Sequence, residues 1–258
     1  MTPILQSRLP FAPWMVPATS RLPGVQPVEG NWLAVDDAYG RQMARRDGLI
    51  AKTPEVVLRQ LPEVESAAAE LYDLILDLLR TMPGFDIGAD QAVRPDGVVV
   101  PLDPAHPLRT LGRLVQEDLC LLQKQGDEHV LTGAVLCFPA SWSLEQKLGR
   151  PLIGIHRPVK TYDPEIARRV QRMVDVLRPG QPLWRMNALV YVDPDLHQPR
   201  REDAPRIDRL GGQYLRAERQ TMLRLPQTGA VLFAIHTYVV ALSVLSQAER
   251  DGLIAARL

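Results

Sequence analysis

Residues 213–240 read QYLRAERQTMLRLPQTGAVLFAIHTYVV. Two runs of strand-forming residues, 213–225 and 229–240, are separated only by Pro226, Gln227 and Thr228. A connection this short predicts an antiparallel hairpin, because parallel neighbours require a crossover of a dozen or more residues. The hairpin therefore places an antiparallel sheet in the C-terminal half of the chain.

Strand and helix patterns continue on the N-terminal side of this hairpin. Alternation and β-branched content predict further strands over 129–138 and 183–192, and a short edge strand at 98–100. Apolar spacing of three and four residues, with capping and proline signals, predicts helices that begin near Asp36, at Thr53 and after Asp163, and others over 62–81, 106–125 and 241–258. Helices ahead of antiparallel strands indicate an α+β domain with helices on one face of the sheet.

The first thirty residues differ in composition from the remainder. Residues 1–30 contain six prolines and few periodic apolar residues. This composition predicts an extended arm that lies over the domain rather than regular structure. Residues 31–258 contain neither an internal repeat nor a clean boundary, so we expect a single domain there.

Charge and cysteine content exclude several classes of protein. Thirty basic residues balance thirty acidic ones, which leaves no electrostatic footprint for nucleic acid or an anionic membrane. No apolar run reaches the ~18 residues of a membrane span, and the first residues lack signal-peptide features, so we expect a cytoplasmic protein. The two cysteines, Cys120 and Cys137, are too few for a disulfide framework, a structural zinc site or a four-cysteine iron–sulfur cluster.

The common nucleotide and hydrolase motifs are missing from the sequence. There is no G-x-G-x-x-G, P-loop, H-E-x-x-H or G-x-S-x-G. A redox enzyme with this sequence would therefore have no flavin or nicotinamide site of its own and would need electrons from a separate reductase.

Four ordered segments resemble the haem-dependent oxidative N-demethylase family, whose bacterial members include the haem subunit of dimethylamine monooxygenase. The resemblance covers roughly residues 30–240, and its specificity lies in the order and spacing of the segments rather than in any one of them. The segments are VQEDL at 115–119; CFPASW, KLG and IHRPV within 137–159; WRMN at 184–187; and RAERQT and LPQTG within 216–238, ending at Tyr238.

The resemblance implies a fold, a cofactor and a reaction. The implied fold is a PAS-like antiparallel sheet with flanking helices that enclose a pocket for haem b. The implied reaction is a monooxygenation in which dioxygen and electrons from a separate flavin or iron–sulfur reductase remove a methyl group from a small methylated amine as formaldehyde. Dimethylamine is the model substrate.

The resemblance also favours an iron ligand. His156 follows the apolar residues 152–155 and precedes Arg157 and Pro158, where a buried segment gives way to a loop. A histidine in such a place can present a neutral nitrogen to iron, or can be a core histidine that the backbone satisfies; the resemblance favours the ligand. Cys137 is the rival ligand, although its apolar surroundings are more typical of a small buried hydrophobe.

Further residues are candidates for the haem pocket. We expect the propionates to be held by some of Arg157, Arg219 and Lys147, with His236 lining the pocket or acting as a second ligand. We expect polar contributions to the distal pocket from Glu218, Tyr238 and Asn187. Each has an ordinary alternative: an ion pair with a carboxylate for Arg219, a solvated sheet face for Glu218, and an ordinary sheet histidine for His236.

Two other functions stay open on the sequence alone. One is a PAS-like haem sensor or carrier that binds a gas without turnover, and the other is a haem-free assembly subunit. The remaining histidines, His106, His129 and His197, lie beside turn or loop residues and are expected to face solvent.

Overall fold

The computed structural model describes residues 2–20, 24–156, 164–205 and 211–256, and these form an α+β fold. Within them, seven strands form one open antiparallel sheet and three short strands form a second. The strands are β1 (Gln26–Pro27), β2 (Leu58–Gln60), β3 (Asp86–Ile87), β4 (Gln91–Val93), β5 (Val99–Pro101), β6 (Asp118–Gln125), β7 (Glu128–Val135), β8 (Leu183–Tyr191), β9 (Tyr214–Arg224) and β10 (Val231–Ala241). The helices are α1 (Pro17–Ser20), α2 (Tyr39–Lys52), α3 (Pro54–Val57), α4 (Glu65–Leu79), α5 (Pro107–Gly112), α6 (Leu144–Lys147), α7 (Leu152–His156), α8 (Pro164–Asp175) and α9 (Gln247–Ala255).

The large sheet has the strand order β1-β8-β9-β10-β6-β7-β2. Its neighbouring strands are all antiparallel. The five long strands are in the order β7-β6-β10-β9-β8, so the last strand in sequence, β10, lies between β6 and β9. This is the PAS-like antiparallel arrangement expected from the resemblance, and the predicted β9–β10 hairpin is confirmed.

Helices cover both faces of this sheet, whereas the sequence pattern predicted helices on one face. We call the face that carries Cys120, Met222 and Ile235 the front; α6, α7 and α8 pack there. We call the face that carries Leu121 and Leu232 the back; α2, α4 and α5 pack there. The prediction was wrong because the apolar run in β10, a sign of a strand buried on both faces, requires two covering layers.

The longest helix, α4, shows why the back layer forms. A 3-10 turn over Pro62–Val64 leads into the helix. Ala68, Leu71, Ile75 and Leu79 then recur at three- and four-residue intervals, and all are buried. The prediction of a helix over 62–81 is therefore confirmed.

The helix predicted over residues 106–125 is wrong in its second half. Only α5 is helical, and residues 118–125 form β6, an internal strand of the sheet. The apolar run 119–122 is buried between β10 and β7, and such a run fits a central strand as well as a helix. Gly112 ends α5 where a Cβ would come within 2.5 Å of Val135 Cγ2, so the helix packs directly against β7.

The N-terminal residues contact the sheet along its edge and on its back face, and they are less extended than predicted. They contain a 3-10 turn over Pro13–Met15, the single-turn α1 and the strand β1. The backbone N–H of Gln6 donates to the Val239 carbonyl, and the Val239 N–H donates to Gln6 Oε1. Trp14 Nε1 donates to the carbonyl of Glu249 in α9, which joins the N-terminal residues to the C-terminal helix.

The C-terminal helix begins later than the prediction of 241–258. Ser246 and Glu249 form a reciprocal capping box, which fixes the first turn of α9 at Gln247. Residues 242–244 form a separate 3-10 turn after β10.

A fully buried ion pair holds α2 against the sheet. Arg46 Nη1 lies 2.6 Å from Asp118 Oδ1, and neither side chain is more than 1% exposed. Arg46 also donates to the carbonyls of Gly112 and Gln116. The Asp118 carboxylate accepts the backbone N–H groups of Cys137 and Phe138, so one pair joins α2, the start of β6 and the segment after β7.

Replacing Arg46 with methionine should lower the free energy of unfolding by about 3–5 kcal/mol, because the Asp118 carboxylate is left buried without its cationic partner. Urea denaturation measures the change. Arg80→Met is the matched control, since its pair with Asp77 is exposed and should contribute less than about 1 kcal/mol. Equal effects of the two substitutions would contradict the central role of the buried pair.

Candidate functional site

A group of polar side chains crosses three adjacent strands on the front face. The register places Asn187 of β8 beside Glu218 of β9, and Glu218 beside Thr237 of β10. One step along the sheet, Arg185 lies beside Gln220. Paired residues of an antiparallel ladder project to the same face. We refer to the following residues as the polar cluster: Arg185, Asn187, Arg216, Glu218, Gln220 and Thr237.

The Glu218 carboxylate is at the centre of the polar cluster. It is 7% exposed, although a solvated face was the ordinary expectation for it. Its Oε2 accepts from Asn187 Nδ2 at 3.2 Å and from Gln220 Nε2 at 3.1 Å, and its Oε1 lies 3.6 Å from Arg216 Nε. Asn187 Oδ1 in turn accepts the backbone N–H of Glu218. Two amides and one guanidinium therefore hold a buried carboxylate in one orientation.

Three buried polar atoms of the cluster have no hydrogen-bond partner among the described residues. They are Arg185 Nε, Arg216 Nε and Thr237 Oγ1. Buried polar atoms in folded proteins are nearly always satisfied, by protein, water or a ligand. Three of the nine such atoms in the described residues thus belong to the polar cluster, which leaves hydrogen-bonding capacity there for water or a ligand.

Helix α7 lies on the same face as the polar cluster. Leu152 and Ile155 of α7 join the apolar group that contains Met222 and Ile235. Ile235 is paired with Gln220 in the sheet, so this apolar group adjoins the polar cluster directly. His156 is the last residue of α7; the position of its imidazole, and all of Arg157, lie outside the described residues.

Lys147, a candidate propionate ligand, is engaged by the protein. Its Nζ donates to the carbonyl of Ile155 at 2.5 Å and lies 2.6 Å from Glu202 Oε1, which also pairs with Arg150 at 2.9 Å. The Lys147 side chain is only 4% exposed. In this arrangement the lysine anchors the C-terminal end of α7, one residue before His156, where a cation also complements the helix dipole.

His236 and Tyr238 lie on the back face, because the register pairs them with Arg219 and Ala217. The rings of His236 and Tyr238 are 4.5 Å apart. Tyr238 was expected to line the same pocket as Glu218 and Asn187, but the sheet itself separates Tyr238 from both. The structure thus brings Glu218 and Asn187 together and leaves Tyr238 outside the polar cluster.

Both ring nitrogens of His236 contact carboxylates. Nδ1 lies 3.0 Å from Glu117 Oε1, and Nε2 lies 3.0 Å from Asp36 Oδ2. Burial alone would lower the pKa of His236, but hydrogen bonds and attraction from Asp36 and Glu117 outweigh burial and raise the pKa to about 9. A doubly protonated imidazole has no lone pair for iron, so His236 is not available as a ligand in this arrangement.

Arg219 lies on the back face without an ion-pair partner among the described residues. The sequence analysis expected it to be buried against an anion. Instead it is half-buried, and its guanidinium stacks over the Trp184 ring at 5.5 Å. This cation–π contact replaces the expected anionic partner.

Cys137 is buried in the apolar core rather than in the polar cluster. Burial raises the pKa of the Cys137 thiol to about 12, only partly opposed by Arg46. Since the thiolate is the form that binds iron, this environment disfavours Cys137 as a ligand.

Arg216 and His129 lie where the sequence did not indicate. Arg216, which had no predicted role, is 3% exposed and donates to the carbonyls of Leu196 and Phe138. The signal was available in the continuous apolar run of β10, since a neighbour of a doubly buried strand is itself covered on both faces. His129, expected in solvent, is fully buried, with Nδ1 3.0 Å from Gln171 Nε2.

Comparison with known protein families gives the family assignment. The family described as haem-dependent oxidative N-demethylase, alpha subunit-like, matches residues 25–258. The chain belongs to this family. The matched residues include the whole polar cluster and α7. The family thereby assigns a haem-dependent oxidative function to this chain. Two structural observations accompany this: among the described residues, none of the helices is both long and apolar enough to span a membrane, and no three His, Cys, Asp or Glu residues are grouped so as to hold a metal ion.

The raised pKa of His236 on the back face predicts that the stability of the protein depends on pH. The pKa of His236 in the folded protein lies above its ordinary value of 6.5, so its stabilising contribution is complete below about pH 6.5 and is lost as the pH rises through about 9. The excess stability of the wild type over His236→Gln should therefore shrink between pH 6.5 and 9.5, as measured by urea denaturation.

The lowered pKa of the partner Asp36 gives the opposite pH dependence: its stabilising contribution is present at neutral pH and is lost at low pH. Burial alone would raise the pKa of Asp36, but His236 and two glutamines lower it to about 2.

As a control for the histidine substitution, His106→Gln at an exposed site should change stability by less than about 1 kcal/mol. A constant difference between wild type and His236→Gln from pH 6.5 to 9.5 would contradict the charged state of His236.

Proposed function

We propose that this chain is the haem subunit of an oxidative N-demethylase that acts on a small secondary amine of the dimethylamine type and releases formaldehyde. The proposal includes haem b as the cofactor, dioxygen as the oxidant and a separate flavin or iron–sulfur reductase as the electron donor. The observation that carries it is the buried Glu218 carboxylate, held open for a further partner on the face where α7 ends at His156.

The residues of the front face fit such a group. Apolar side chains of α7, β9 and β10 adjoin the polar cluster, and three buried polar atoms of that cluster lack partners among the described residues. A haem presents a large apolar surface and two carboxylates, so it needs both kinds of contact. We propose His156 as the iron ligand, placed by α7 and its Lys147 anchor. When bound, the haem supplies the oxidation of the N-methyl group by dioxygen.

Glu218 would bind and deprotonate the amine. A secondary amine is a cation at neutral pH, and a buried carboxylate attracts it strongly because the surroundings are less polar than water. Among the described residues no amide donates to Glu218 Oε1, so it is the oxygen that can accept a proton from the substrate N–H. Deprotonation makes the nitrogen lone pair available, and Asn187 and Gln220 keep the other oxygen fixed during the transfer.

Arg216 would limit the cost of this buried charge. Its Nε is 3.6 Å from Glu218 Oε1, close enough for attraction but too far for a hydrogen bond. The Arg216 guanidinium is itself fixed by the Leu196 and Phe138 carbonyls. This attraction would partly offset the cost of burying the Glu218 carboxylate without occupying Oε1 with a hydrogen bond.

The first test is haem binding and turnover by the purified protein. Wild type expressed with haem supply should show a Soret band and, in the presence of dioxygen, release formaldehyde from dimethylamine when a surrogate ferredoxin and its reductase supply electrons. His156→Ala should lose stable haem binding, and Cys137→Ala should keep the wild-type spectrum. Absence of a Soret band would refute both the enzyme and the haem sensor, whereas haem binding without formaldehyde would favour the sensor.

The second test addresses Glu218. Glu218→Gln keeps the shape of the side chain but removes its charge and basicity, so kcat/KM for dimethylamine should fall about 100-fold or more while the haem spectrum is retained. Glu65→Gln removes the same charge from an exposed position on α4 and should leave kcat/KM unchanged within about twofold. Wild-type kinetics in Glu218→Gln would exclude Glu218 from the reaction.

A further inference from the structure

One guanidinium on the front face has little compensation from the described residues. Arg185 Nη1 donates to Gln220 Oε1 at 2.7 Å, which is a neutral acceptor. Its Nε is buried and has no hydrogen-bond partner there. Nη2 likewise has none among the described residues, so the edge of the guanidinium formed by Nε and Nη2 is free.

The charges of the polar cluster do not balance. It contains two guanidiniums, Arg185 and Arg216, and one carboxylate, Glu218. Arg216 lies within ion-pair distance of Glu218, while Arg185 lies within ion-pair distance of no carboxylate in the described ranges. Burial lowers the pKa of Arg185, and the more distant Glu218 only partly opposes this, which is typical of a cation short of an anionic partner.

We propose that Arg185 binds a carboxylate group of the molecule that occupies the front face. The Nε–Nη2 edge presents two parallel N–H donors, the geometry that matches both oxygens of one carboxylate. The Arg185 side chain is half-buried, with Nε fully buried, so such a partner would stabilise its charge more than at an exposed site.

The carboxylate has two chemical sources under the proposed function, on which this inference rests. One is a propionate of the haem. The other is a carboxylate on the substrate itself, in which case the preferred substrate is an N-methylated amino acid whose ammonium contacts Glu218 and whose carboxylate contacts Arg185. Both sources use the same edge of Arg185.

Arg219 provides a matched control within the same sheet. It is also half-buried and lacks an ion-pair partner in the described part of the chain, but it lies on the back face and stacks on Trp184. Arg219→Gln therefore removes one guanidinium of similar exposure without touching the polar cluster.

The haem arm of the experiment titrates haem-free protein with haemin and with haemin dimethyl ester, which lacks the carboxylates. If Arg185 binds a propionate, Arg185→Gln should weaken haemin binding at least about tenfold and leave binding of the ester unchanged. The ester comparison separates loss of a carboxylate contact from general damage to the pocket, which would weaken both ligands.

The substrate arm compares N-methylglycine with dimethylamine, with binding to the haem-loaded protein followed by calorimetry. If Arg185 binds a substrate carboxylate, Arg185→Gln should weaken the binding of N-methylglycine at least about tenfold and leave the binding of dimethylamine unchanged. Arg219→Gln should change neither comparison.

A selective loss in either arm supports the inference and identifies the source of the carboxylate. Equal losses within each ligand pair, no loss in either, or the same loss in Arg219→Gln would overturn it. If wild type binds no haemin, the proposed function fails by itself. The inference is then decided by calorimetry of N-methylglycine binding to haem-free protein. It is overturned if this binding is absent or does not depend on Arg185.

Discussion

The antiparallel pairing of β9 and β10 determines on which face of the sheet each of their polar side chains lies. Residues 214–224 pair with 231–241 without interruption, so each side chain is assigned to one face by its position alone. Glu218 and Thr237 share the front, and Arg219, His236 and Tyr238 share the back. A slip of β10 by one residue would move His236 and Tyr238 to the front and Thr237 to the back, and so place the histidine in the candidate site. The apolar residues that alternate with them make such a slip very costly.

Both faces of the ladder carry buried charge, and the two faces treat it differently. On the back, His236 is enclosed by Asp36 and Glu117, so its charge is compensated inside the fold. On the front, Glu218 has a distant guanidinium and two amides, and Arg185 has a neutral amide. Removing one partner of a buried ion pair typically costs several kcal/mol. The two faces therefore differ in how the charge at their centre is compensated: by two carboxylates around His236 on the back, and mainly by neutral amides on the front.

Much of this architecture could be predicted from the sequence, and the failures have physical causes. The hairpin was predictable because Pro226–Thr228 is too short for any other connection. The helix at 106–125 failed because an apolar run over 119–122 does not distinguish a central strand from a buried helix. His129 was misplaced because a position beside a turn says nothing about the layer that covers it.

The candidate site was predictable only in part, for a related reason. Glu218 and Asn187 come from segments that the family resemblance singled out, and the sheet brings them together. Tyr238 comes from the same segments, yet its face depends on the pairing register, which sequence alone did not fix. Arg216 was overlooked because a charged residue on a strand is usually solvated, and the two carbonyls that bind it come from distant segments.

The shortness of β1 determines how the front face is reached. β1 pairs only with Leu183 and Trp184, so within the described ranges the remainder of β8 has no strand on its outer side. Arg185 and Asn187 are half-buried at this rim, whereas Glu218 lies one strand further in. Under the proposed function, an amine that entered from this rim would reach Glu218 with its ammonium end, while its other end would lie at the rim beside Arg185.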